Sequence, residues 1–190
     1  TNMIKAGKSQ KEIVDFARSK GMKEEQIAPL IQSSKKQSVL KRFAMKRGGG
    51  EKILSESKKA VGEIYQDLYS HPSAKTVLGG NESISLMNKI EKKLSKMPAK
   101  VRNVIAEDLQ DLKNSPKAAE DFMNFYSDVN ANLSGSTKQL SSIKDNISNA
   151  ISSIDKGLAR DFNLTNKLYS NWAEISKTLK PTLASDLFEG

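Results

Sequence analysis

The chain has 190 residues, of which 37% are hydrophobic, 28% charged and 6% aromatic, and its formal net charge is +9. It has no cysteine and a single histidine, His71, which excludes disulfides, thiol catalysis, thiolate metal sites and zinc sites of the ordinary kind. No run of about 18 apolar residues occurs, so no transmembrane helix is expected.

An apolar share below the usual ~45–50% predicts a thin core and favours elongated helices with a narrow apolar seam. The charge is unevenly spread. Residues 1–50 hold 12 Lys and Arg against 4 Asp and Glu, a net of +8, while residues 51–190 hold 19 against 18, a net of +1. The opening Thr1-Asn2-Met3-Ile4-Lys5 lacks the hydrophobic region of a signal peptide and reads as a processed product or a piece of something longer.

In chain order, Ser9-Gln10-Lys11-Glu12 has capping-box spacing before Ile13, Val14, Phe16 and Ala17, which predicts a helix over about 10–20. Gly21 is placed for a left-handed C′ residue. A second segment runs from Glu24 to Gln32, and Pro29 would move its helical start toward Ala28. From 35 to 47, Lys35, Lys36, Lys41, Arg42, Lys46 and Arg47 occur with no acid, and Val39, Leu40, Phe43 and Ala44 fall between them at helical spacing. This basic amphipathic stretch is the candidate nucleic-acid contact, electrostatic and sequence-tolerant; the same piece could rest weakly on an anionic membrane. Gly48-Gly49-Gly50 marks a linker between an N-terminal region, 1–47, and a helical bundle, 51–190.

Beyond it, Ile53, Ala60-Val61, Ile64 and Leu68 define a helix over about 51–70, followed by a loop at 71–81 in which Asn81 or Ser83 is the expected N-cap. Ile84, Met87, Ile90, Leu94 and Met97 give the next helix, and Val101, Val104-Ile105, Leu109 and Leu112 one more. Ser115-Pro116 reads as an N-cap and N1 proline, with Ala119, Phe122-Met123, Tyr126, Val129 and Leu133 continuing the face. Ser136 to Gln139 forms a second capping box.

The strongest pattern follows. Leu140, Ile143, Ile147, Ile151, Ile154, Leu158, Phe162, Thr165, Tyr169, Trp172, Ile175 and Leu179 succeed one another in steps of three or four, one stripe on a helix. A single helix from 136 to 179 would be roughly 66 Å long at 1.5 Å per residue, so a long hairpin or an assembly is expected. Gly157 and the Ser/Asn-rich part before it favour a bend near Gly157. The firm packing or oligomer contact is then expected at Leu158, Phe162, Tyr169, Trp172, Ile175 and Leu179. No segment alternates with period two, so the fold class is all-α: an elongated bundle or helical hairpins with a long C-terminal amphipathic region.

No catalytic constellation emerges. His71 precedes Pro72 as a helix-ending or surface residue, and the carboxylate groups Glu24-Glu25, Glu107-Asp108-Asp111 and Glu120-Asp121 read as solvated faces or first-turn charges. Gly79-Gly80-Asn81-Glu82-Ser83 lacks the Lys-Ser/Thr ending and the preceding strand of a phosphate loop. No cofactor, metal or small-molecule substrate is expected.

Two stretches carry a resemblance. Ala6 to Met22 resembles the helix, Gly-Met, acidic, helix pieces of long virion proteins of tailed bacteriophages. Ile154 through Phe162, Asn166, Leu168-Tyr169, Trp172 and Pro181 is similar to helical regions of phage internal virion, DNA-transfer or ejection proteins. The resemblance implies a non-enzymatic homo-oligomer in the virion, beside portal or tail proteins, delivered with the genome into the host envelope or cytoplasm. An alternative from the residues themselves is a DNA-binding adaptor with a helix-turn-helix-like unit at Ser9–Gln32 and dimerising C-terminal helices.

Overall fold

The computed structural model describes residues 2–31, 49–132 and 138–186, with side chains described for 10–31, 51–131, 138 and 140–177. Within these the secondary structure is helical, and the only extended pairing among the described residues is an isolated bridge between Val77 and Ala118. The all-α expectation holds. The chain divides into two compact units, Thr1–Asp67 with Leu164–Gly190, and Leu68–Asn163.

The first unit begins with α1 (Asn2–Ser19), which starts ahead of the expected position, so that Ser9 lies inside the helix rather than at its start. Its end follows the sequence closely. Gly21 sits at φ +80°, Gly21 N–H donates to the Arg18 carbonyl at 2.9 Å, and Met22 N–H donates to the Ala17 carbonyl at 3.1 Å. These are the paired bonds of a Schellman cap, which needs a left-handed C′ residue and so selects glycine. The next helix, α2 (Glu24–Ile27), is a single turn that tightens into a 3₁₀ turn at Ala28–Leu30 holding Pro29. The helix therefore starts at Glu24, with the proline taken up by the 3₁₀ turn rather than by a later helix start.

The core of this unit joins Ile13, Phe16, Ala17, Met22, Ile27 and Leu30 to Val61 and Ile64 of α3 (Gly49–Tyr69) and to Leu164 and Leu168 of the C-terminal helix α9 (Lys156–Asp186). That packing explains why the division into units does not follow the glycine run. The apolar face of α1 is closed by residues far along the chain, and Gly49 and Gly50 are the first residues of α3.

The second unit starts at the end of α3 and contains a 3₁₀ turn at Pro72–Lys75, α4 (Gly80–Leu94), α5 (Ala99–Val104), α6 (Ala106–Asn114), α7 (Ala119–Asn132), α8 (Lys138–Ile154) and the first two turns of α9. Here α4 and α7 both pack on α8, and α6 packs on α7. Fully buried Phe122, Met123, Ile143, Ile147, Ile151 and Phe162 form its interior. At about 1.5–3 kcal/mol per large side chain, such burial dominates the favourable side of folding.

Three expectations in this unit are corrected. The N-cap of α4 is Gly79, so Asn81 and Ser83 lie within the helix. The helix expected over 101–112 is broken at Ile105, which is wholly buried with φ −109° and ψ 10°, and whose carbonyl accepts the Leu109 N–H at 3.0 Å. Turning Ile105 inward outweighs helix continuity. Pro116 does not open α7. Instead Ser115 ends α6, and Lys117 takes φ +66°, held by its N–H donating to Ser115 Oγ at 3.1 Å and its carbonyl accepting Leu78 N–H at 3.0 Å. Lys117 Nζ donates to the Lys113 and Ser115 carbonyls at 2.9 and 3.0 Å, a cation on the helix C-terminus. At the start of α7 the Asp121 carboxylate accepts Ala118 N–H at 2.8 Å.

Candidate functional site

Among the described residues, most of the long stripe is buried within the chain. Between α8 and α9 stands one residue, Asp155, outside either helix. Its Oδ1 accepts the Leu158 N–H at 3.0 Å, an N-cap on the third residue of α9, and its Oδ2 accepts the Ser73 hydroxyl at 2.5 Å. The Ser73 hydroxyl, then the Leu158 amide and to a smaller extent the Gly157 amide, hold the Asp155 carboxyl below the ordinary carboxylate range. Gly157 is neither the break nor a defect. A Cβ there would stand 3.2 Å from Asp155 Oδ1, so glycine leaves room for the capping carboxylate.

After this turn the chain folds back. Asn163 Nδ2 donates to Ser148 Oγ at 2.7 Å; fifteen residues of unbroken helix would set those two positions roughly 22 Å apart. Leu140, Ile143, Ile147, Ile151, Leu158 and Phe162 are all buried in this arrangement. Phe162 meets Tyr126 edge-on at 5.1 Å, and Lys144 Nζ lies 5.6 Å from the Tyr126 ring centre and donates to Asn130 Oδ1 at 2.5 Å. Burial lowers the Lys144 pKa and raises that of the Tyr126 hydroxyl.

The remaining stripe residues belong to the first unit. Trp172 Nε1–H donates to the Leu54 carbonyl at 2.9 Å, Lys58 Nζ lies 5.1 Å from its ring centre, and Tyr169 stacks against it at 5.7 Å and 33°. Tyr65 meets Tyr169 edge-on at 6.4 Å and donates its hydroxyl to Asn166 Oδ1 at 2.6 Å. Tyr169 is 37% exposed, and Ile175 is buried. The expected packing set is thus divided: Leu158 and Phe162 are buried in the second unit, while in the first Trp172 packs against the core, Ile175 is buried and Tyr169 stays exposed. The Leu179 side chain, and the basic residues Lys35, Lys36, Lys41, Arg42, Lys46 and Arg47, lie outside the described residues.

In the second unit, α6 and α7 border an open cleft of about 400 Å³ lined by Asp108, Asp111, Asp121 and Asp128 with Ser115, Asn124 and Ser127. Burial, then Asp108 and Asp111, push the Asp128 carboxyl upward. No group of three or more side chains fit to hold a metal ion occurs among the described residues, and no described helix is long and apolar enough to cross a membrane. His71 is exposed and caps the Pro72–Lys75 turn, its Nδ1 accepting Ser73 N–H at 3.2 Å. The segment that would read DNA in a helix-turn-helix, α2, is one turn long, and its exposed residues include Glu24 and Glu25.

The near-neutral total for residues 51–190 conceals a feature of the second unit. Residues 89–102 carry six Lys and Arg (Lys89, Lys92, Lys93, Lys96, Lys100, Arg102) against Glu91, a net of +5. Residues 107–128 carry six acids against Lys113 and Lys117, a net of −4. The near-zero total for 51–190 is a cancellation of two opposed segments, which a short charge window would have found. Comparison of the chain with family models, with curated proteins and with solved structures finds no match in any of the three.

Proposed function

We propose that the chain is a non-enzymatic helical protein of the bacteriophage virion, of the ejection or DNA-transfer kind, that assembles with copies of itself and with portal or tail proteins and accompanies the genome. The observation that carries the reading is the segregation of charge: a net of +8 on residues 1–50, much of it on the acid-free amphipathic stretch from Lys35 to Arg47. Such a stretch suits phosphate contact by counterion release and carries no base-reading pattern. Helical units held by buried apolar faces, as in the cores around Phe16 and Phe162, give a scaffold of the expected kind.

Mass spectrometry of virus particles purified from lysates of cells carrying the gene tests the reading. The chain is expected in full particles and depleted after genome release. Its absence from full particles would overturn the proposal. The adaptor reading predicts instead a sequence preference in a binding selection, which the acidic exposed residues of α2 make unfavourable.

A further inference from the structure

We infer that the C-terminal half of α4, with the turn and short helix after it, is a second docking face for the phosphate backbone of double-stranded nucleic acid, separate from residues 35–47. Taken as positions on a helix at 100° per residue, Lys89, Lys92, Lys93 and Lys96 fall within a 100° arc. Lys89, Lys92 and Lys96 are exposed and Lys93 is half-buried; Lys100 and Arg102, also exposed, follow within six residues.

None of these cations has an ion-pair partner within 4.0 Å among the described residues. Glu91, the acid within the run, is paired with Lys113, and the nearest acid on the lysine arc, Glu82, lies seven residues earlier, roughly 10 Å along the axis. Lys89 stands three and four residues from Lys92 and Lys93 on α4, the spacing at which like charges on a helix repel, and Lys96 adds a further cation in the turn just after it. The helix C-terminus tolerates cations, but its field falls off within the last turn and does not reach Lys89. A surface that keeps such repulsion is completed by a polyanion.

The apolar residues of this stretch decide which polyanion. Leu86, Met87, Ile90, Leu94 and Met97 are all buried, the exposed Ile84 falls about 80° outside the lysine arc, and the exposed Val104 stands at the far end of the short helix. On the lysine arc itself no apolar side chain is exposed to insert into a bilayer, as those of membrane-surface helices are. From Lys89 to Lys96 it spans about 10 Å, over which duplex DNA presents about six phosphate charges. Lysine charges meet phosphates whatever the bases between them, so the contact tolerates any sequence.

The inference uses none of residues 35–47 and stands or falls apart from the virion reading. The test is fluorescence anisotropy of a labelled 30-base-pair duplex with the full chain over a salt series. Four proteins are compared: the parent, a variant with Lys89, Lys92, Lys93 and Lys96 each changed to Gln, a variant with Lys41, Arg42, Lys46 and Arg47 changed to Ala, and a charge-matched control with Lys138, Lys156, Lys167 and Lys177 changed to Gln. Far-UV circular dichroism checks that each folds. The α4 variant is expected to bind at least ~10-fold more weakly than the charge-matched control at 0.1 M salt, with the salt slope reduced by about 3–4. Equal affinity and slope for the α4 variant and the control would overturn the inference, as would binding of the parent to phosphatidylglycerol vesicles but not to the duplex. Loss in the 35–47 variant alone would support the earlier reading and remove this one.

Discussion

Replacing Asp155 by Ala tests how the chain turns from α8 into α9. Both carboxylate oxygens are engaged, Oδ1 by the Leu158 amide at 3.0 Å and Oδ2 by the Ser73 hydroxyl at 2.5 Å. Loss of an N-cap costs about 1 kcal/mol. Loss of a hydrogen bond to a charged acceptor costs about 1.5 kcal/mol, less at a site that water reaches, so a total near 2 kcal/mol is expected. With a urea slope of about 2 kcal/mol per molar, the midpoint should fall by about 1 M. Asp155→Asn keeps a capping oxygen and should cost about half as much. In a double-mutant cycle with Ser73→Ala, the pair should show a coupling of about 1 kcal/mol. The pH dependence has a defined sign. The folded carboxyl sits below its ordinary value, so its stabilisation is present above about pH 4, the ordinary value, and is lost as the pH falls through the folded one. The gap between parent and Asp155→Ala should therefore narrow at pH 3. Urea unfolding followed by circular dichroism reads each of these; an Ala variant within 0.5 kcal/mol of the parent at pH 7, or an additive cycle, would refute the reasoning.

Two glycines should respond with opposite signs in thermal unfolding. Gly21→Ala places a Cβ at φ +80° and should cost about 1 kcal/mol, whereas Gly62→Ala, within α3 with open space around it, should gain about 0.5–1 kcal/mol. For Asp128, whose carboxyl is raised by burial and by Asp108 and Asp111, the folded chain takes the proton more readily than the unfolded one. Its ionised form costs stability at neutral pH, and that cost fades as the pH falls through the raised value. Asp128→Asn should accordingly stabilise by roughly 0.3 kcal/mol at pH 7, the scale of a like-charge pair on a helix, and by nothing at pH 3.

Helix placement was largely legible because buried positions recur at the helical period. Ile13, Phe16, Ile64, Leu68, Ile90, Leu94, Ile143 and Ile147 are all buried as their spacing requires, and Gly21 ends its helix by the backbone conformation that glycine favours. Legibility failed where side chains bind the backbone or distant partners. Asp155 is a strong cap, but its second partner is Ser73, 82 residues earlier; Gly157 and the Ser/Asn-rich part before it marked the neighbourhood of the turn, while the apolar stripe continuing in step hid that Asp155 makes it. At Ser115-Pro116 the local pattern for a helix start was genuine, yet the pairing of Val77 with Ala118 and the left-handed Lys117 delayed α7 to Ala119. The basic face of α4 was missed for another reason: summing charge over 140 residues let the acids of α6 and α7 conceal it.

The claim that the dominant stripe is closed within one chain by the turn at Asp155 is tested most directly by crosslinking. The protein has no cysteine, so Ser148→Cys with Asn163→Cys introduces only the two thiols of interest. With a short thiol-reactive crosslinker at low protein concentration, the fold-back predicts an internally bridged chain of monomer mass as the main product. A continuous helix would hold the two positions roughly 22 Å apart, and recovery of only unbridged or interchain products would contradict the account.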